Sequence, residues 1–171
     1  MVEAILAGDI ALHHVHVPWR PILTPTLVKT ILADEIPRLE SDSHKQLKVH
    51  ARILALATSP DAHLEPEAPA TGDRYPLRAD LIAWTAFGTS HTYECGATDG
   101  RSILAQLDHG HVQVTVLPFV ALREQAIHGI SFSLRGSAAQ SNPTAAEAER
   151  IWKRIVKQAS AQEFQNISNA A

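Results

Sequence analysis

Asp80 and Glu94 are the two side chains in this 171-residue sequence whose placement most directly implies chemistry. Each lies in a β-like run, residues 77–84 and 91–98, and a short turn containing Gly88 separates the runs. A turn centred on Phe87, with residues 85–89 as its loop, sets Asp80 opposite Glu94, Arg78 opposite Gly96 and Ile82 opposite Thr92. Strand alternation then puts Arg78, Asp80, Glu94, Gly96 and Thr98 on one face. Directly opposed Cβ atoms lie roughly 4.5–5.5 Å apart, where like charges repel. Apolar neighbours (Ala79, Leu81, Ile82, Tyr93, Cys95) add a burial cost. Three remedies are open: protonation of one acid, an intervening basic side chain, or a divalent cation. Hard carboxylate oxygens plus water suit Mg²⁺ or Mn²⁺, which would acidify a bound water and stabilise charge on a phosphate. The competing account treats both acids as exposed strand residues whose repulsion Arg78 screens.

The elements that must position this pair can be read around it. Residues 9–17 are rich in β-formers and end at Pro18, which predicts a strand. Thr24-Pro25 opens a helix carrying Leu27, Val28, Ile31, Leu32 and Glu35 at helical spacing, interrupted at Pro37. A second helix is expected from about residue 43 to 58, with Leu47, Ala51 and Leu54 as its inner stripe. Residues 59–76 form a proline- and acid-rich connector, read as a loop or a poorly structured strand. After the hairpin, residues 99–110 read as a short helix with a polar start and a glycine just past its end. Val112, Val114 and Val116 alternate with Gln113 and Thr115 in a strand up to Pro118, and residues 130–134 are a further strand candidate. Asn142-Pro143 opens a closing helix, about 143–158, with Ala148, Ile151, Trp152 and Ile155 as its core stripe. The expected fold class is α/β: one domain over residues 1–171, with a mixed central sheet flanked by helices.

The sequence Arg78-Ala-Asp-Leu-Ile-Ala-Trp, a turn, Tyr93-Glu-Cys-Gly-Ala-Thr, a helix, and Val112-Gln-Val-Thr-Val-Leu-Pro-Phe resembles the core of PD-(D/E)XK (restriction-endonuclease-like) nucleases over roughly residues 26–119. The resemblance implies a helix-strand-strand-helix-strand core with Asp80 and Glu94 as magnesium ligands. Glu35 or Glu40 would be the acid from the preceding helix. It also implies metal-dependent phosphodiester hydrolysis of nucleic acid, DNA first, with specificity supplied by a homodimer or a partner protein. One departure matters: Gly96 stands where the family carries its lysine. Two substitutes are expected. Arg78, opposite Gly96, could use the room left by the missing side chain to steady a phosphate or orient water, although it cannot act as a base. Lys48 could reach in from the helix. The alternative is a catalytically inactive module that keeps this architecture to bind a partner protein or nucleic acid.

Composition narrows the remaining classes. The net charge of −3 lacks a strongly basic nucleic-acid footprint, and 45% hydrophobic with 19% charged residues describes a globular chain. A single cysteine, Cys95, excludes an intramolecular disulfide and a multi-cysteine zinc site, and is expected on the buried face opposite Glu94. No apolar run approaches the ~20 residues of a membrane span, and the cytoplasm is the expected compartment. Ten histidines raise a zinc hypothesis. His14 and His16 share a strand face, with His13, His44 or His50 as further ligands, yet no zinc-binding motif accompanies them. Arg150, Lys153, Arg154 and Lys157 form a basic helix face, either solvated or open to phosphates.

Overall fold

The computed structural model describes residues 1–35, 39–72, 77–119, 126–137 and 142–169. The interruption expected at Pro37 and the end of the 59–76 connector lie outside them. In chain order the elements are α1 (Val2–Leu6), β1 (Ile10–Val17), α2 (Pro25–Ile31), α3 (Asp42–Thr58), β2 (His63–Pro66), β3 (Leu81–Trp84), β4 (Ser90–Cys95), α4 (Gly100–Asp108), β5 (Gln113–Leu117), β6 (Ile127–Leu134) and α5 (Ala145–Asn169).

Local chemistry explains most boundaries. Thr24 caps α2 by accepting from the Leu27 N–H, and Ser41 caps α3 by accepting from the His44 N–H. Asp99 takes the N–H groups of Arg101 and Ser102 at the start of α4. The β3–β4 turn closes on Thr85 N–H to Thr89 C=O, with Gly88 at φ 75°.

The six strands form one sheet in the order β1-β6-β5-β4-β3-β2. Only β4 and β5 run parallel, with α4 as their crossover, so the sheet is mixed as expected. The hairpin register follows the predicted pairing, with Leu81 opposite Tyr93, Ile82 opposite Thr92 and Trp84 opposite Ser90. The amino-terminal strand pairs along its whole length with β6, Ile10 opposite Leu134 through Val17 opposite Ile127. Within the connector, residues 63–66 form an edge strand.

Helices cover both faces. On one, α2, α3 and α5 bury Val17, Leu81, Ala83, Tyr93, Cys95, Leu117 and Ile127. On the other, α4 packs with Ile10 and Val114, supported by Phe132 and by Met1, Ala4 and Ile5 at the start of the chain. The middle of α3 departs from the expected amphipathic stripe: every residue from Lys48 to Leu56 is buried, including Lys48, His50 and Arg52. Among the described residues, no helix is long and apolar enough to cross a membrane.

Ile53 is fully buried in the main core. Ile53→Ala is expected to cost about 2–5 kcal/mol through lost burial and a residual cavity. Chemical denaturation should show a lower midpoint with an unchanged slope.

Candidate functional site

The site lies where the β3–β4 hairpin ends. β3 begins at Leu81, so Asp80 sits one residue outside the ladder. There its Oδ2 accepts the Cys95 N–H at 2.7 Å, and its Oδ1 lies 3.1 Å from Nε2 of His44 on α3. The hydrogen bond to Asp80 raises the His44 pKa above its usual value, against the opposing effect of burial.

Glu94, within β4, accepts from Gln106 Nε2 on α4 at 2.6 Å. The two acids therefore reach toward helices on opposite faces of the sheet. That corrects the expectation of a single shared face, because the ladder stops before Asp80 and frees its carboxylate to turn. They remain electrostatic neighbours. Burial pushes the Glu94 pKa up to about 7, with the negative charges of Asp80 and Glu67 adding to it and the Gln106 hydrogen bond and His44 opposing it.

Behind Asp80 lies a buried ionic network. Lys48 Nζ donates to Glu35 at 3.1 Å, to Glu40 at 2.8 Å and to Glu67. Burial opposes this charge, but the three carboxylates outweigh it and hold the ammonium pKa above the usual lysine range. Arg52 forks onto Asp34 and also reaches Glu35 at 2.9 Å. Glu35 thus gives one oxygen to Lys48 and the other to Arg52, and Glu40 also binds Lys48. The acid expected from the preceding helix is engaged by cations, and it follows the end of α2.

Glu67 joins this network to the hairpin. Its backbone is left-handed (φ 53°), a conformation that costs a non-glycine residue about 1 kcal/mol or more. Three bonds hold it there: its carboxylate to Lys48, its N–H to the Asp80 C=O at 3.2 Å, and its C=O from Arg78 Nη1 at 2.6 Å.

The two expected lysine substitutes are accounted for differently. Gly96 has φ 98°, and a Cβ there would meet the Phe119 ring, 2.6 Å from Cζ. Phe119 fills the room that Arg78 was expected to use. Arg78 instead lines an open groove of about 510 Å³ beside the start of α4, with Glu94, Thr98, Ser102 and Gln106. Lys48 is too tightly paired to act as a base. A cleft of similar size, about 540 Å³, opens between α2 and the start of α3 and contains neither hairpin acid.

Among the described residues, no three or more His, Cys, Asp or Glu side chains are gathered into a metal-binding group. Cys95 is buried on the α3 side as expected, and burial pushes its thiol pKa well up. His50 is buried and held neutral near pH 7, its pKa lowered to about 3 by burial and by Arg20. His111 is buried between Ser90 Oγ and the Ala70 C=O. On α5, Arg154 donates to the Pro60 C=O and Lys153 pairs with Glu149, so part of the basic face is structural.

Sequence reasoning missed His44 as the partner of Asp80, Glu67 as the bridge and Gln106 as the ligand of Glu94. His44 carried a usable signal, since it precedes Lys48 by four residues and so shares its helix face. The other two needed the tertiary fold. No protein-family model matches the chain, and neither a curated protein nor a solved structure matches it significantly.

Two outcomes follow. Gly96→Lys is expected to lower the unfolding midpoint, because the new side chain must displace Phe119 and adopt a positive φ. The second concerns Glu94, whose folded pKa near 7 exceeds its ordinary value. Between pH 4.5 and 7 the folded state holds more protons than the unfolded state, so stability falls as pH rises through this window. The full penalty, on the order of 3 kcal/mol, is present above pH 7. Glu94→Gln should remove this contribution, visible as a smaller gap between the denaturation midpoints at pH 5 and pH 8 than in the wild type.

Proposed function

We propose that this chain is a nuclease-like protein of the PD-(D/E)XK type, and that the Asp80–Glu94 site is a magnesium-dependent phosphodiesterase centre acting on nucleic acid, DNA first. The observation carrying this reading is the acid pair at the hairpin end, where Asp80 and burial together oppose the ionisation of Glu94. The order α3-β3-β4-α4-β5 also agrees with the one the resemblance implies, with β2 inserted after α3.

The donor types suit the ion. Magnesium takes one or two carboxylates and completes its shell with water and substrate phosphate, so a third protein acid is not required. Asp80 and Glu94 would hold it once their carboxylates turn from His44 and Gln106 toward a shared position at the strand end, and when bound it supplies a Lewis acid and an acidified water. The chain's own groups do the rest. Arg78, permanently charged, presents a guanidinium to the groove and can steady a phosphate while one nitrogen stays fixed on Glu67. The Thr98 and Ser102 hydroxyls add donors along the same wall. Gln106 orients Glu94, and His44 balances the charge of Asp80 in the resting protein.

A second reading has its own observation. Phe119 closes the position where the family keeps its lysine, which favours a catalytically inactive module binding nucleic acid or a partner protein.

Incubation of the purified chain with plasmid, single-stranded DNA and RNA in Mg²⁺ or Mn²⁺ separates the two. The enzyme reading expects metal-dependent cleavage that falls at least a hundredfold in Asp80→Ala and Glu94→Ala, with circular dichroism unchanged. It also expects Mg²⁺ to raise the melting temperature of the wild type at pH 8 and not that of the two variants. Absence of both cleavage and metal-linked stabilisation would discard the enzyme in favour of the module.

A further inference from the structure

Three strands from Glu94, along the cross-strand row Glu94–Val116–Ile130–His14, three imidazoles meet on the sheet. His14 and His16 lie two residues apart on β1, so alternation puts both on one face, and His16 stands directly opposite His128 of β6. Nδ1 of His16 and Nε2 of His14 each lie 3.4 Å from Nδ1 of His128. The ring centroids are 4.7 Å apart for His16 and His128, 5.5 Å for His14 and His128, and 6.1 Å for His14 and His16.

This face of the outer two strands is the one α4 and α1 cover only toward Ile10 and Phe132. Beyond them Leu12 and Ile130 are half exposed, and His14 is open to solvent. Residues of the opposite alternation, Val15 and Val17, point into the main core. The histidines therefore have no role in the packing under α3 and α5.

The distances have a chemical meaning. With metal–nitrogen bonds of about 2.0–2.1 Å, any two ligating nitrogens of a tetrahedral site are roughly 3.3–3.4 Å apart. The His16–His128 and His14–His128 nitrogen separations have that length. The rings contact one another, and as they stand neither they nor any other three such side chains among the described residues frame an ion, so binding requires them to turn about χ1 and χ2. Their backbone needs no such movement. The Asn142 carboxamide clasps β1 beside them, its Oδ1 accepting the His16 N–H at 2.8 Å and its Nδ2 donating to the His14 C=O at 3.3 Å. Fixing the segment that carries two ligands lowers the ordering cost of binding.

We propose that His14, His16 and His128 form a binding site for one divalent transition-metal ion, zinc or another imidazole-preferring ion. Carboxylate-preferring Mg²⁺ is excluded by the all-nitrogen donor set. Three protein nitrogens leave the fourth position to solvent. That arrangement belongs to sites that bind water or an external ligand, whereas structural zinc sites close with four protein ligands.

The test uses the full chain without an affinity tag, stripped with a chelator and titrated with Zn²⁺ by calorimetry and with Co²⁺ by visible absorption. One tight site with the intense bands of tetrahedral cobalt is expected. His14→Ala and His128→Ala should each weaken it at least tenfold, while His63→Ala, an exposed histidine at the other edge of the sheet, leaves it unchanged. The double variant Asp80→Ala/Glu94→Ala should also bind normally, which separates this site from the magnesium reading. Zinc binding that survives His128→Ala, or a folded wild-type chain that binds no zinc, overturns the proposal.

Discussion

The ammonium of Lys48 ties the hairpin end to the helix and loops behind it. It sits 3% exposed in the middle of α3, bonded to three carboxylates that come from either side of that helix in sequence. A lone charge there would carry a desolvation cost of several kcal/mol, so the ammonium and its acids are viable only as a set. The set fastens the segment after α2 to α3 through Glu35 and Glu40, and α3 to the β2–β3 connection through Glu67. Because Glu67 also bonds Asp80 and Arg78 through its backbone, the geometry of the hairpin end is referred back to that one cation.

This arrangement also sets the division of labour between the acids. Asp80 has an N–H donor and a histidine to support its charge, whereas Glu94 has an amide, burial and two nearby anions. Burial, with those anions adding to it, holds Glu94 near half-protonation at neutral pH. A carboxylate raised in this way is a common mark of functional sites, and structural ion networks produce such shifts too.

The hairpin was legible because register depends on local quantities: loop length, the glycine in the turn and strict alternation. The same holds for α4, bracketed by Asp99 and Gly110, and for the start of α2 at Thr24-Pro25. What escaped prediction depends on contacts between distant segments. Leu47, Ala51 and Leu54 read as the inner stripe of that helix, and only the packing of α2, α5 and the sheet around α3 buries Lys48, His50 and Arg52 as well. Gly96 read as empty space because Phe119, more than twenty residues away, cannot be placed over it from sequence. The direction of Asp80 turned on a single residue, since a ladder reaching position 80 would have kept both acids on one side. His128 fell just before the segment read as the last strand, so its pairing with His16 was out of reach.

The clasp of Asn142 on β1 bears on how copies of this chain behave toward one another. An outer strand normally offers a row of unsatisfied amides and carbonyls on which another molecule can extend the sheet. Here a side-chain amide from the segment before α5 imitates the missing neighbour at two of those groups. At the far side β2 is only four residues long and ends in Pro66, which has no N–H to offer. Both flanks of the sheet are thereby blunted against end-on growth, and the chain is guarded against aggregation at the strands its fold leaves outermost.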